Sequence, residues 1–251
     1  MLAVKIQSYI VVIATTVVLW VNYLATTGRL NNIDTAVISD KYPTVLTPAG
    51  YAFAIWSLIY AGLIAFSIYQ LFKLDCVRYR RVRPLYLLSC FLNALWLWLW
   101  HQEMLVACLI VIAALFLTAL SIAVMFRNTD SPADTLIARG TFGLYAGWLT
   151  AATLVNLSIV IKASGAELSS LTWNLIAVAC LLAATTMAVF VRFAFRNFLY
   201  PLAIAWAATA IAVKQSGNTA VVVAAALCVI VSLIMSISFV MDKKGMAVRG
   251  A

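Results

Sequence analysis

Charged residues are scarce in this sequence. They make up 10% of its 251 residues, whereas a soluble domain carries about 25%, and the mean hydropathy is +1.05. The composition therefore predicts an integral membrane protein. The eight acidic residues all fall in loops or at the ends of apolar runs: Asp34, Asp40, Asp75, Glu103, Asp130, Asp134, Glu167 and Asp242. Because proton-coupled pumps and transporters carry acidic residues at membrane depth, this absence argues against them.

Residues suited to metal, redox or nucleophilic chemistry are also few. The five cysteines are scattered, with no pair at metal or redox spacing, and we expect them to pack inside helices. His101 is the single histidine, and we interpret it as a solvated boundary residue rather than a haem or chlorophyll ligand. Without a nucleophile–base pair or a metal-ligand cluster, the sequence predicts neither an enzyme nor an obligatory cofactor.

Long apolar runs dominate the chain and predict an all-α fold, a polytopic bundle of about eight transmembrane helices. The third and seventh runs are the shortest. The first follows a single Lys5 and lacks a small-x-small cleavage site, so we interpret it as a retained helix rather than a signal peptide. The runs cover approximately 7–27, 50–72, 85–101, 104–126, 141–161, 173–192, 198–213 and 219–241.

The positive charges alternate with these spans. Of the 17 Lys and Arg residues, Arg29, Lys41, Lys162 and Lys214 fall on one side and the other 13 on the opposite side. Cytoplasmic loops collect Lys and Arg, so both termini are predicted to be cytoplasmic. The net charge of +9 then requires no nucleic-acid partner.

Two loop segments carry further signals. Residues 29–47 precede the second span, and their sequence predicts a short helix capped by Asn31 or Asn32 and broken before Pro43. This long loop is either a lid over a cavity or a passive surface segment. The segment VRYRRVRP, residues 77–84, is interpreted as a loop that sets topology and meets anionic lipid, with specific carboxylate or phosphate binding as the alternative.

Aromatic and polar residues form stripes on three spans. Phe53, Trp56 and Tyr60 share one face of the second span, either as a cavity wall or as interfacial anchors. On the third span Asn93 shares a face with Trp96 and Trp100, and Asn93 needs a partner at membrane depth. The fifth span carries a similar stripe, and together the three predict the wall of one ligand cavity. That stripe consists of Tyr145, Trp148, Ala152 and Asn156.

Small residues at four-residue spacing predict close helix packing. Gly143/Gly147 on the fifth span and Ala203/Ala207 on the seventh are the candidate faces for a homodimer or for a partner in a membrane complex. The last three spans are rich in Ala and Val, which suits packing more than a binding site. No internal repeat supports an inverted-repeat transporter.

Three motifs together resemble the TspO/MBR family of tryptophan-rich sensory or translocator proteins. They are PAGYAF with the following Trp and Tyr, LNALW, and YAGWLTAATLVN. The resemblance covers residues 1 to about 162, and it departs from the family pattern where Tyr51 replaces a Trp and Ala49 a Pro. The spacing from Phe53 to Trp56 is also one residue short, which would rotate Trp56 by about 100° on a helix.

The resemblance implies a five-helix bundle over residues 1–162, followed by three additional transmembrane helices over residues 163–251. It further implies an apolar ligand, such as a porphyrin, a haem-related tetrapyrrole or a sterol, held under the first loop. The positions that match the family motifs then give a candidate ligand site of Tyr51, Phe53, Trp56, Tyr60, Asn93, Trp96, Tyr145, Trp148 and Ala152.

The leading functional interpretation is a membrane receptor or sensor that binds an apolar ligand through Trp and Tyr rings. Two alternatives remain open: an accessory structural subunit of a larger membrane complex, with pigments or lipids in its grooves, and a facilitator for an uncharged solute. A pocket protein requires Trp56, Trp96 and Trp148 to converge on one cavity, whereas a packing subunit would direct them toward lipid or partners.

Overall fold

A computed structural model describes residues 2–129 and 131–238, which are all-helical. Seven helices or helical runs in this part are long and apolar enough to cross a membrane, and an eighth, α8, is shorter, so the chain is a multi-pass integral membrane protein. The helices are α1 (Leu2–Thr26), α2 (Thr35–Lys41), α3 (Ile55–Tyr69), α4 (Val77–His101), α5 (Leu105–Met125), α6 (Thr141–Ala163), α7 (Ser170–Phe195), α8 (Leu199–Lys214) and α9 (Thr219–Ile237).

Several predicted features lie outside the described residues. They are Lys243, Lys244, Arg249, Asp130, Asp242 and residues 239–241 of the eighth predicted span. The helices alternate in direction, so one end of the bundle carries the loop of residues 27–49, here called the covering loop. The other end carries every described arginine except Arg29 and is called the arginine end. Which end faces the cytoplasm stays a prediction.

α6 occupies the centre of the bundle. Its residues from Thr141 to Ala151 are all buried, because α3, α5 and α8 pack around it. A helix that is buried on every side belongs to a core rather than to a lipid-facing surface. A π-helical stretch, Asp134–Gly140, leads into α6. The Asn197 side chain donates to the Arg139 carbonyl at 2.6 Å and accepts from the first amides of α8, which joins the two helices.

The two small-residue patterns pack against each other inside the chain. A Cβ at Gly147 would lie 2.5 Å from the Tyr200 carbonyl oxygen and 2.9 Å from the Ala203 Cβ, so only glycine allows α6 and α8 to approach this closely. Ala203 and Ala207 are themselves buried. A homodimer or complex partner stays a prediction, but these faces are already occupied within one chain.

The interpretation of residues 77–84 as a loop is wrong. They form the first two turns of α4, which continues through Pro84 to His101. Arg83 is fully buried there, with its Nε donating to the Gln70 side-chain oxygen at 2.8 Å. Arg83 Nη2 also donates to the Gln70 carbonyl at 3.3 Å, and its Nη1 is buried without a partner among the described residues. The neighbouring Arg80 and Arg81 are exposed.

The predicted cap of the loop helix is also wrong. α2 is capped by Asp34, whose carboxylate accepts from the Ala36 amide at 2.8 Å. Asn31 and Asn32 instead adopt left-handed backbone conformations, with φ of 56° and 54°. Asn tolerates this region better than most residues, so both asparagines form the turn before α2 rather than its first residue.

Candidate functional site

An apolar cavity lies beneath the covering loop, between α3, α4, α6 and α8. Aromatic rings and small or branched side chains form its walls, and the covering loop forms its roof. Of the residues predicted from sequence, Phe53, Trp56, Trp96, Trp148 and Ala152 line it. Tryptophans from three different helices therefore meet at one cavity.

Trp148 connects the aromatic rings that form the cavity wall. It contacts Phe53 and Trp56 edge-on, with centroid distances of 6.1 and 6.2 Å. Phe53 lies in a 3₁₀ turn, Gly50–Ala54, that precedes α3. Positions i and i+3 eclipse in a three-residue turn, which accounts for both rings meeting Trp148 despite their short spacing.

The α4 side of the wall consists of two stacked indoles. The Trp96 and Trp100 rings are 5.5 Å apart and inclined by 19°. Trp96 Nε1 donates to Asn156 Oδ1 at 3.5 Å, and Trp100 Nε1 donates to the Thr35 carbonyl at 3.1 Å. Trp100 shares a face with Trp96, as their four-residue spacing predicts, and it is buried beneath the covering loop.

One indole of the wall lacks a hydrogen-bond partner. Trp148 Nε1 is buried and meets no acceptor among residues 2–129 and 131–238. A buried donor without a partner costs about 1–3 kcal/mol. A ligand with an acceptor at this position would recover that cost.

Three of the predicted residues lie next to the cavity in a buried hydrogen-bond network instead of lining it. The Tyr60 hydroxyl donates to Asn22 Oδ1, Asn22 Nδ2 donates to Asn93 Oδ1 at 2.9 Å, and Asn93 Nδ2 donates to the Tyr145 hydroxyl at 3.0 Å. Trp56 stacks on Tyr60 with a centroid distance of 5.3 Å. The network joins α1, α3, α4 and α6 beside the aromatic wall. The sequence reasoning missed Asn22, although Ser8, Thr15 and Asn22 recur every seven residues on the buried face of α1 and could have indicated it.

Tyr51 is the predicted site residue that falls outside the cavity. It is 43% exposed and packs edge-on against Trp206 at 5.5 Å. Trp206 also donates its Nε1 hydrogen to the Ala52 carbonyl at 2.9 Å, which ties α8 to the turn before α3. Ala207 and Ile211 of α8 line the cavity, a role that the Ala-rich composition of this helix did not indicate.

The covering loop roofs the cavity and is fastened at its α2 end. Thr35 and Ser39 of α2 line the cavity. Lys41 Nζ lies 2.5 Å from Glu103 Oε1, and the Tyr42 hydroxyl donates to Glu103 Oε2 at 2.6 Å. These hydrogen bonds, first from Lys41 and then from Tyr42, lower the pKa of the Glu103 carboxyl.

A second set of contacts fastens the loop to α8 and α6. Gln215 Nε2 donates to the Thr44 carbonyl at 3.0 Å, and the hydroxyls of Thr44 and Ser158 lie 2.9 Å apart. Lys214 Nζ is 3.6 Å from Asp40 Oδ1. The loop therefore spans both parts of the predicted domain division, which itself stays a prediction.

His101 is buried at the edge of the roof, with 6% of its surface exposed. Its Nε2 lies 3.4 Å from the Thr35 hydroxyl, and its carbonyl accepts from Asn31 Nδ2 at 3.0 Å. The interpretation of His101 as a solvated residue is wrong, because the covering loop folds over it. No group of three or more His, Cys, Asp or Glu residues in the described ranges could hold a metal ion.

The cavity is small, with a volume of about 40 Å³. This is room for about three water molecules, whereas drug-sized ligands occupy pockets of roughly 300–1,000 Å³. The rings of the wall and the covering loop therefore fill most of the space that a larger ligand would need.

Comparison with known proteins identifies the family. A family model described as TSPO-like protein matches residues 8–239, and this match extends through α7, α8 and α9. A search of curated proteins and a search of solved structures gave no significant match. The family is one of membrane proteins of sensor and receptor type, and this chain belongs to it: it is a TSPO-like member of the TspO/MBR family.

Proposed function

We propose that this protein is a membrane receptor or sensor that binds an apolar ligand of the tetrapyrrole or sterol kind in the aromatic cavity. The observation that carries the proposal is the convergence of Trp56, Trp96 and Trp148, from three helices, on one buried space. Flat aromatic walls bury large apolar area and stack on ring systems. The proposed activity is binding and not catalysis.

The polar groups of the wall support a ligand with few polar atoms. Trp148 Nε1 offers a donor without a partner in the described ranges, whereas Asn156 already accepts from Trp96. Among the residues that the structure describes, no Lys, Arg, Asp or Glu lines the cavity. The ligand's ring system therefore occupies the cavity, and any carboxylates that it carries remain near the covering loop.

Binding requires the cavity to enlarge. A porphyrin or sterol is far larger than a space of about 40 Å³, so the covering loop or the wall rings must move when the ligand enters. In this proposal the protein is a closed receptor. The ligand and the covering loop compete for the space next to Trp100 and Trp148. Porphyrin or haem is a ligand in this scheme and not a resident cofactor.

The test is a fluorescence titration of the detergent-purified protein with protoporphyrin and, separately, with a sterol. Saturable, stoichiometric quenching is expected. Trp148→Phe should weaken binding by about fivefold, because it removes one hydrogen bond worth about 1 kcal/mol. The matched control is Trp98→Phe, since Trp98 is 51% exposed and does not line the cavity.

Dissociation constants rather than amplitudes are compared, since each variant loses one fluorophore. Quenching that stays linear with both ligands, or equal weakening by Trp98→Phe and Trp148→Phe, would overturn the proposal. The accessory-subunit interpretation would then be favoured.

A further inference from the structure

An open groove lies at the arginine end, between the start of α4 and the end of α5. Its volume is about 460 Å³, which is within the range of ligand pockets. Arg78, Arg81 and Arg127 line it together with Val77 and Met125. The groove therefore combines three cations with an apolar floor, and it is separate from the aromatic cavity at the other end of the bundle.

The cations of the groove are incompletely paired. Arg81 and Arg127 are exposed, and their side chains have no hydrogen-bond or ion-pair partner among the residues that the structure describes. Arg78 is held in place, because its Nη2 donates to the Asn128 carbonyl at 3.2 Å and its Cζ lies 5.7 Å above the Phe126 ring. One fixed and two available guanidinium groups thus share a single concave surface.

One carboxylate beside the groove, that of Asp134, is already engaged. Asp134 Oδ2 is 3.9 Å from Arg78 Nη1. Its Oδ1 accepts the hydroxyls of Tyr69 and Tyr79 at 2.9 and 2.8 Å, and its Oδ2 accepts that of Thr129 at 3.3 Å. Asp134 therefore offsets part of the Arg78 charge, and within residues 2–129 and 131–238 neither Arg81 nor Arg127 forms an ion pair.

The N-terminal end of α4 adds to the excess of positive charge at the groove. α4 has no acidic residue in its first turn, and its N-cap residue Cys76 makes no side-chain cap hydrogen bond. The N-terminus of a helix carries a partial positive charge, so cations there are unfavourable and an anion is favourable. Arg78 places a cation in the first turn of α4, and an external anion would offset both its charge and the partial charge of the helix end.

We propose that this groove binds the phosphate of an anionic phospholipid. The phosphate pairs with Arg81 and Arg127 beside the fixed Arg78, and the start of an acyl chain lies against Val77 and Met125. Two features favour a lipid over a soluble anion: the groove lies at the ends of two membrane-spanning helices, where headgroups lie, and its apolar floor suits an acyl chain. This site is independent of the proposed function.

The test uses the full chain in maltoside micelles that contain dioctanoyl phosphatidylglycerol, dioctanoyl phosphatidylcholine or inorganic phosphate alone. Binding is measured as the rise in the unfolding temperature with added lipid. The variant is Arg81→Gln with Arg127→Gln. The control, Arg80→Gln with Arg196→Gln, removes the same charge from two exposed arginines that do not line the groove.

Phosphatidylglycerol should bind the wild type and the control equally and the groove variant about thirtyfold more weakly, which corresponds to about 1 kcal/mol for each cation removed. Phosphatidylcholine should bind weakly to all three proteins. In the absence of lipid the three should unfold at the same temperature, because the mutated arginines are exposed. Equal weakening in both double variants would overturn the proposal in favour of general charge attraction, and equally strong binding of inorganic phosphate would overturn it in favour of a soluble ligand.

Discussion

Replacing Gly147 by alanine is expected to destabilise the contact between α6 and α8. The new Cβ would lie 2.5 Å from the Tyr200 carbonyl oxygen and 2.9 Å from the Ala203 Cβ. A carbonyl oxygen belongs to the backbone and cannot rotate away as the end of a flexible side chain can. Relief therefore requires α8 to move as a unit, together with α9, which packs on it.

The size of the effect follows from two opposing contributions. Overpacking a dense interior costs about 1–3 kcal/mol, and the backbone contact places this case in the upper half of that range. Alanine in place of glycine inside a helix recovers about 1 kcal/mol. The free energy of unfolding should therefore fall by about 1–2 kcal/mol. In a chain of this size each kcal/mol lowers the unfolding temperature by about 2–4 °C.

Thermal unfolding of the detergent-purified variants measures this loss. The matched control is Gly217→Ala, in the turn between α8 and α9, where a Cβ meets no atom within 4 Å in the described part of the chain. The control should unfold like the wild type. If Gly147→Ala also unfolds like the wild type, α8 yields without cost, and the view of α6 and α8 as one packed core is refuted.

Two further predictions concern the loop and the buried network. Glu103 has a lowered pKa, so its contact with Lys41 is fully present above the ordinary value of 4.5 and is lost as the pH falls through the lowered pKa. The hydrogen-exchange rates of the α2 amides in the wild type should therefore approach the rates in Glu103→Gln as the pH falls. A difference between the two proteins that stays constant with pH would contradict this prediction. Asn93→Leu should cost about 1–3 kcal/mol by leaving buried groups without partners. Chemical unfolding should show a smaller cost when Asn22 is already replaced, whereas strictly additive costs would contradict the network.

The part of the site that sequence reasoning reached is the part governed by helical periodicity. Trp148 and Ala152 are four residues apart on one unbroken helix, so their shared face needs no knowledge of the neighbouring elements. Both line the cavity. Trp96 follows from the same argument, because its distance from Asn93 and Trp100 along α4 keeps all three on one side.

Periodicity could not separate a residue that lines the cavity from one beside it. Tyr60 and Tyr145 lie on the predicted faces, yet their hydroxyls are hydrogen-bonded to Asn22 and Asn93. Whether a polar side chain on an inward face meets a ligand or another helix depends on what the opposite helix offers. That information lies in α1, where Ser8, Thr15 and Asn22 recur at seven-residue spacing on the buried face, a pattern that the sequence analysis did not use.

Irregular backbone conformation was the second limit on prediction from the sequence. Capping preferences rank Asn and Asp almost equally, so the choice of Asp34 over Asn31 depends on which residues tolerate a left-handed turn and on the His101 carbonyl that Asn31 meets. For the start of α4, the burial of Arg83 against Gln70 decides the matter. Both are tertiary contacts between segments distant in sequence.

The closed cavity and the polar fastening of its roof together indicate which part of the protein must move. The Lys41–Glu103 pair is more than one third exposed on the lysine side, and exposed pairs contribute only about 0.2–1 kcal/mol. The wall, in contrast, is made of buried rings packed on one another, where each aromatic pair adds about 0.5–1.5 kcal/mol beyond its buried area. The Lys41–Glu103 pair is therefore weaker than the contact of Trp56 with Trp148, but opening the whole covering loop would also break its contacts with Gln215, Ser158 and Trp100. In the proposed function a ligand would bind only the open fraction, and its apparent affinity would be reduced by that fraction. The contact of α2 with Glu103 would then be one of the contacts that control access to the cavity.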